Sequence, residues 1–204
     1  MNHSFTPVIA LLSLKGGVGK TTLAMHLTMC LNNRCPCTAI DYDDEKSALR
    51  WAQHQNLPFT VLAGERDRLA QQVRHQQQNG LAVVIDTPPN NRELLTRAAM
   101  IATHIVVPIS PTGMDIDRMM PPLELLRDVE ATRGALDVAI VLNRWDGRKR
   151  LAREALTALQ GFPVLESRIR GLTRYEEAFG TMPSHLEEYQ AVLKELLHEP
   201  TTIT

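Results

Sequence analysis

The sequence predicts an α/β fold of three layers, in which a mostly parallel twisted sheet carries helices on both faces. Three observations predict it: the strand-like runs are continuously apolar, segments with helical periodicity separate them, and 44% of the 204 residues are hydrophobic. Strands of a parallel sheet are apolar throughout because helices cover both of its faces. This content is enough for one buried core, so we expect a single domain over residues 1–204.

The predicted elements alternate from the N-terminus onward. Strands are predicted at 8–14, 38–42, 59–62, 81–86, 104–109, 136–142 and 163–165. Helices are predicted at 20–32, 46–55, 65–78, 92–101, 115–132 and 149–159. Residues 1–7 are expected to form a flexible N-terminus. A final docking helix is predicted at 184–198, because Ser184 and Glu187 have capping-box spacing and an apolar stripe follows them.

The predicted C-terminal helix argues against a membrane partner. Its acidic residues are Glu187, Glu188, Glu195 and Glu199, and its one lysine is Lys194. An acidic outer face would be repelled by anionic lipid. The sequence also has no apolar run long enough to span a bilayer and no visible signal peptide, so we expect a cytoplasmic protein.

Composition limits the other classes of partner. The formal net charge is −1, so overall charge predicts no nucleic-acid partner, and an aromatic content of 4% argues against a stacking platform for single strands. The three cysteines are Cys30, Cys35 and Cys37, and no second Cys or His pair with ligand spacing follows them. An odd number of cysteines without an export signal indicates reduced thiols.

A glycine-rich stretch at residues 14–22 carries the clearest functional signal. It reads Leu-Lys-Gly-Gly-Val-Gly-Lys-Thr-Thr and lies between an apolar strand and a helix. Backbone N–H groups of such a turn, together with the helix N-terminus, form a phosphate-binding cradle. The cradle is predicted from Gly16, Gly17, Val18, Gly19, Lys20, Thr21 and Thr22. Within it, Lys20 can reach terminal phosphates and the Thr21 hydroxyl can bind Mg²⁺, so a nucleoside triphosphate is the expected ligand.

The stretch departs from the ordinary P-loop pattern, because Leu14 replaces a glycine and Lys15 adds a second lysine. In this form it resembles the deviant Walker A motif of the ParA/MinD superfamily of P-loop ATPases, and the chain length resembles small plasmid-type ParA proteins. The resemblance implies ATP and Mg²⁺ as cofactors and a homodimer in the ATP state. It also implies that Lys15 acts catalytically at the partner's phosphates, beside Lys20. A solvated loop lysine is the alternative interpretation of Lys15.

Two carboxylate motifs extend the resemblance. Asp41 and Asp43 follow the second strand and resemble the family pattern D-x-D-P-Q, which implies that Asp41 lies near Mg²⁺ and that Asp43 is the catalytic residue that orients water. Asp44 and Glu45 depart from that pattern and are expected to be acids at the N-cap and in the first turn of a helix. Asp86 ends an apolar strand before Thr-Pro-Pro and resembles the Walker B aspartate, which holds Mg²⁺ through water.

The base site is expected near Asn143 and Arg144, which follow the sixth predicted strand. The resemblance implies that this asparagine lies beside adenine, whereas a turn asparagine that closes a strand is the alternative. The segment from Pro163 to Arg170 would form the opposite wall of the pocket.

A basic segment suggests a second ligand. Residues 144–174 hold eight basic residues against three acidic ones, whereas the rest of the chain after residue 174 is acidic. Small ParA proteins bind double-stranded DNA without sequence preference, and the candidates here are Arg148, Lys149, Arg150, Arg153, Arg168, Arg170 and Arg174. An ordinary solvated helix face is the alternative interpretation.

The resemblance therefore implies a slow, Mg²⁺-dependent ATPase that partitions or positions plasmid, chromosome or another cargo at the nucleoid. A ParB-like or cargo-adaptor protein would stimulate hydrolysis. Two alternatives stay open: a metabolic or metallocluster-assembly ATPase, and a switch that binds a protein and no DNA. The absence of cysteines after the second and third nucleotide motifs weakens the metallocluster alternative.

Overall fold

The sheet has six parallel strands in the order β3-β2-β4-β1-β5-β6. The structure is a computed structural model that describes residues 6–111 and 120–198. The strands are β1 Val8–Leu11, β2 Cys37–Asp41, β3 Thr60–Ala63, β4 Ala82–Asp86, β5 His104–Ile109 and β6 Val138–Leu142. The helices are α1 Lys20–Asn32, α2 Ser47–Gln53, α3 Leu69–Gln78, α4 Arg92–Ile101, α5 Met120–Arg133, α6 Arg150–Ala158, α7 Thr173–Glu176 and α8 Glu187–Leu196. The predicted parallel α/β architecture is confirmed.

Alternate residues of each strand contact opposite layers, which explains the continuously apolar strands. Val8 and Ala10 of β1 belong to the core formed with α3, α4 and α5. Ile9 and Leu11 belong to the core on the other face, formed with α1, α2 and α8. Because no side of β1 meets water, every position must be apolar. Within the described ranges, no helix is long and apolar enough to cross a membrane.

Several predicted bounds differ from the structure. The predicted strand at 163–165 is a single bridge between Ile140 and Val164. The predicted helix at 115–132 is described from Met120 to Arg133, and its first residues lie outside the described ranges. Helix α7 has only four residues and was not predicted, because one turn carries no periodic pattern. Residues 1–5 of the predicted flexible N-terminus also lie outside the described ranges, and Pro7 accepts a hydrogen bond from the Val83 amide.

Helix α8 packs on α1, although the capping box predicted at its start is absent. The helix begins at Glu187 with Leu186 as its N-cap, and no side chain caps it. Tyr189 of α8 is buried and stacks on the ring of His26 of α1, with 4.2 Å between the ring centroids. Aromatic stacking and the apolar stripe therefore fix this helix to the α1 side of the sheet.

The expectation that the acidic residues of α8 form an outer face is wrong for two of them. The Glu188 side chain is 14% exposed and pairs with Arg170. The Glu195 carboxylate accepts hydrogen bonds from the backbone amides of Glu166 and Ser167. These two residues are seven positions apart, so they share one side of the helix, and that side faces the protein.

Candidate functional site

The predicted phosphate-binding loop connects β1 to α1 at the carboxyl edge of the sheet. Gly17 and Gly19 have φ of 75° and 85°, which is the left-handed region that glycine adopts without strain. The Asn143 amide, just after β6, donates to the Val18 carbonyl oxygen at 2.8 Å. A Cβ at Gly19 would lie 2.5 Å from Nδ2 of Asn143, so this position needs glycine for space as well as for φ.

A cleft of about 290 Å³ opens above this loop. It is lined by the predicted residues Gly16, Gly17, Gly19, Lys20, Thr21, Thr22 and Asp43, and also by Glu45, Ser47, Trp51, Pro89, Arg144 and Phe179. Lys20 is only 6% exposed, and its ammonium group donates to the Lys15 carbonyl oxygen at 3.4 Å. Burial lowers the pKa of Lys20, while Asp86 and Asp43 act in the opposite direction. The cleft thus holds a buried cation among carboxylates, as a triphosphate site with a metal requires.

Asp86 ends β4 and is 1% exposed. Within the described residues, neither of its carboxylate oxygens has a hydrogen-bond partner. Burial raises the pKa of Asp86 to about 7, and the Thr21 hydroxyl and the Lys20 ammonium oppose that rise. A buried carboxylate without partners is costly unless it meets a cation, so Asp86 and Thr21 fit the expected magnesium ion. The described side chains contain no cluster of three or more His, Cys, Asp or Glu for a metal, so phosphate and water would supply the other ligands.

The two aspartates after β2 have different surroundings. Asp41 is fully buried, and its carboxylate oxygens accept hydrogen bonds from the Asp43 amide at 3.0 Å and the Leu49 amide at 3.1 Å. It pairs in register with Asp86 across β2 and β4. Asp41 therefore shapes the loop that carries Asp43, a structural task that sequence reasoning missed. Its predicted contact with Mg²⁺, and the predicted role of Asp43 toward water, stay predictions.

The expectation for Asp44 and Glu45 is wrong, because α2 starts later than predicted. Lys46 is the N-cap and the first turn of α2 contains no acidic residue. Asp44 instead forms an ion pair with Arg66, and Glu45 lines the phosphate cleft. The extra carboxylate of Asp44 is thereby neutralised within the chain.

The expected base site corresponds to a second cleft of about 160 Å³. Gly19, Thr22 and Arg144 line both clefts, so the second is a continuation of the first. Its other lining residues are Asn143, Arg170, Gly171, Leu172, Tyr175, Glu176 and Tyr189. The structure thus brings Asn143 and Arg144 together with Arg170, as the sequence predicted, and adds aromatic residues from α7 and α8. Their role in base binding stays a prediction.

Lys15 lines a different cleft from Lys20. Its amide donates to the Ser13 hydroxyl at 3.1 Å. It lines a cleft of about 510 Å³ together with Leu14, Gly16, Asn90 and Pro121, and Gly16 also lines the phosphate cleft. The two lysines of the motif therefore line different clefts beside the loop.

Most of the basic residues predicted to contact DNA already contact other side chains of the protein. Five contact side chains of their own chain, and the first four are Arg148 with Asp146, Arg150 with Glu154, Arg170 with Glu188, and Arg168 over the Trp145 ring at 4.3 Å. Arg174 lies over the Tyr175 ring at 5.2 Å. Lys149 and Arg153 are exposed and have no ion-pair partner among the described residues. Two of the partners, Glu188 and Trp145, lie far along the chain from their arginines, so the sequence showed the charges and not these two contacts.

Sequence reasoning also missed Trp51 and Phe179, which form one wall of the phosphate cleft. Their ring centroids are 5.5 Å apart, and the Trp51 indole N–H donates to the Thr181 carbonyl oxygen at 2.6 Å. Phe179 is 48% exposed. No pattern of neighbouring residues predicts this wall, because it consists of Trp51 in α2 and Phe179 more than a hundred residues later.

Comparisons with known proteins agree with this geometry. The family of the CobQ/CobB/MinD/ParA nucleotide binding domain matches residues 9–183. A "maintenance of carboxysome distribution protein A" from Halothiobacillus neapolitanus is 28% identical over 184 residues, covering 87% of this chain and 84% of the relative. A protein of the same name from Gloeobacter kilaueensis is 31% identical over 183 residues, covering 87% and 82%.

The fold has solved counterparts as well. Cobyrinic acid a,c-diamide synthase from Mycobacterium smegmatis, solved with an ATP analogue and magnesium, has a TM-score of 0.76 at 18% identity, with 95% of each chain covered. At that identity the likeness concerns the fold. Together with the family match over most of the chain, these findings show that the protein belongs to the CobQ/CobB/MinD/ParA nucleotide-binding family and is a ParA-like ATPase.

Proposed function

We propose that this protein is an ATP-driven positioning switch. ATP closes a sandwich homodimer, the dimer binds double-stranded DNA without sequence preference, and hydrolysis splits the dimer and releases the DNA. A ParB-like or cargo-adaptor protein stimulates hydrolysis, and the protein works at the nucleoid. Two relatives named for carboxysome distribution support a positioning role for a large cargo.

The placement of the two loop lysines carries the proposal. Lys20 lines the phosphate cleft of its own chain, whereas Lys15 lines the neighbouring cleft with Asn90 and Pro121. This separation of the two lysines supports a role for Lys15 at a nucleotide bound by the partner subunit.

Catalysis by this site is a matter of charge and position. Lys20 holds the terminal phosphates, and the backbone amides of residues 16–20 surround them. Thr21 and Asp86 would hold Mg²⁺, which supplies neutralisation of the charge that develops on the phosphates. Asp43 lines the same cleft and would orient the attacking water, in a position fixed by the hydrogen bond from its amide to Asp41. We expect ATP hydrolysis at such a site to be slow until the adaptor protein binds.

The test is binding to a random-sequence DNA duplex without nucleotide, with ADP, with ATP and with a slowly hydrolysed ATP analogue, at two salt concentrations. The proposal expects binding only with the triphosphates, weakened strongly by salt because phosphate contacts release counterions. Intact ATP hydrolysis with no DNA binding under any condition would contradict the proposal and favour a protein or metabolic substrate.

A further inference from the structure

Residues 164–171 form the base wall, the segment that runs beside β6 and ends at the base cleft. Three of its amides donate to carbonyl oxygens along β6 and just after it: Leu165 to Ile140 at 2.9 Å, Ile169 to Leu142 at 3.0 Å, and Gly171 to Trp145 at 3.1 Å. These bonds attach the base wall to the sheet along one side. The remaining amides need other partners, since an unsatisfied amide costs about 1–3 kcal/mol.

Helix α8 supplies acceptors for three of the remaining amides with two carboxylates. Glu195 accepts hydrogen bonds from the amides of Glu166 at 2.6 Å and Ser167 at 2.9 Å. Glu188 accepts from the Arg170 amide at 2.8 Å and also from the Nε of the same arginine. The base wall is therefore held between β6 on one side and α8 on the other.

Arg170 connects Glu188 of α8 with the base cleft. Arg170 lines the base cleft with Asn143 and Arg144, and Tyr189 of α8 lines the same cleft. A guanidinium group has five N–H donors. Because Glu188 binds Nε, the terminal Nη groups remain to donate to a bound base. Purine rings offer nitrogen acceptors of matching geometry.

We propose that Glu188 is a positioning residue for the nucleotide base, which it controls by fixing Arg170 at the base cleft. Helix α8 is then a part of the nucleotide site and not only a cover for the α1 face. Arg170, which the sequence offered as a DNA contact, donates to the base instead. The inference deepens the proposed function and rests on its nucleotide-binding step alone, so it holds whether or not the chain binds DNA.

The test separates the base from the phosphates. Titration calorimetry measures the binding of ATP and of inorganic tripolyphosphate, each with Mg²⁺, to the wild type and to Glu188→Ala, Glu188→Gln and Arg170→Ala. Glu187→Ala is the matched control, because it removes the same charge from the exposed neighbouring position of the same helix. Tripolyphosphate occupies only the phosphate cleft, so its binding also shows that each variant is folded.

We expect Glu188→Ala to weaken ATP binding about tenfold, as the loss of one charge-assisted contact implies, while tripolyphosphate binding stays unchanged. Glu188→Gln keeps one acceptor oxygen and should show a smaller loss, and Glu187→Ala should bind both ligands as the wild type does. The double variant Glu188→Ala/Arg170→Ala should be no weaker than Arg170→Ala, because the first residue acts through the second.

Two results would overturn the inference. One is an ATP affinity of Glu188→Ala equal to that of the wild type. The other is an equal loss of ATP and tripolyphosphate binding, which would indicate a general structural role for Glu188. In both cases the wild-type protein would still bind ATP, so this failure is distinguishable from failure of the proposed function.

Discussion

The side-chain amide of Asn143 donates a 2.8 Å hydrogen bond to the carbonyl oxygen of Val18, so the end of β6 holds the loop that follows β1. Asn143 is 6% exposed, which protects this bond from competition with water. The same amide leaves no room for a side chain at Gly19. The shape of the phosphate-binding loop therefore depends on a residue more than a hundred positions away.

Gly19→Ala should lower the free energy of unfolding of the nucleotide-free protein, by about 2–4 kcal/mol in total, because it adds a steric clash to the strain of a positive φ. Gly80→Ala is the matched control: its φ is 76°, and a Cβ there meets nothing within 4 Å. The control should lose only the strain, about 1 kcal/mol. Denaturant unfolding measures both, and equal losses would show that the contact with Asn143 does not restrict the loop.

Asp86→Asn should change the pH dependence of stability in the absence of Mg²⁺. The folded-state pKa of Asp86 is about 7, above the unfolded value of 3.8, so the folded state binds more protons between these values. Stability of the wild type should therefore fall as pH rises from about 4 to about 7, by an amount on the order of 2–4 kcal/mol from this group. The variant cannot ionise and should lack this contribution.

Chemical unfolding in EDTA at pH 5 and pH 8 measures the difference between the wild type and Asp86→Asn. The variant should gain stability relative to the wild type at the higher pH. Addition of Mg²⁺ and ATP at pH 8 should reverse the order, because only the carboxylate binds the metal. A wild type and a variant with the same pH slope would contradict the assignment of a buried, unpaired carboxylate.

Asp41→Ala and Asp43→Ala should separate structure from catalysis. Asp41→Ala leaves the amides of Asp43 and Leu49 without their acceptor and should cost about 1–3 kcal/mol of stability. Asp43→Ala should keep nearly the stability of the wild type and bind ATP, yet lose hydrolysis and accumulate as an ATP-bound dimer. Thermal unfolding and gel filtration with ATP measure the two effects, and hydrolysis at the normal rate by Asp43→Ala would exclude it as the residue that orients water.

The DNA candidates should differ in effect according to their contacts. Lys149→Ala and Arg153→Ala should weaken DNA binding at all sequences and reduce the salt slope by about 1 each, because each removes one phosphate contact. Arg168→Ala should leave the salt slope unchanged, since its guanidinium group lies on the Trp145 ring. The slope of log affinity against log salt is the measurement. An effect of Arg168→Ala as large as that of Lys149→Ala would place the stacked arginine in the DNA interface.

Much of the fold could be predicted because its signals are local. Helices α1 and α4 and strand β5 have the predicted bounds, since each is limited by glycine, proline or polar residues. Helix α2 starts one residue later than predicted, and α8 starts at Glu187 because the capping box predicted from Ser184 does not form. The carboxylates of Asp44, Glu188 and Glu195 bind Arg66, Arg170 and backbone amides, which no local pattern indicates.

The sequence by itself determined the order of strands and helices, the phosphate-binding loop, and the carboxylates that follow β2 and β4. These depend on residue type and spacing over a few positions, and in a parallel sheet the ends of the strands necessarily meet at one edge. Only the tertiary structure decided that Asn143 holds Val18, that the Asp86 carboxylate accepts no hydrogen bond from the part of the chain that the structure describes, and that Glu188 and Glu195 face the base wall. Such contacts join segments far apart in the chain, and their geometry is set by how the helices pack on the sheet.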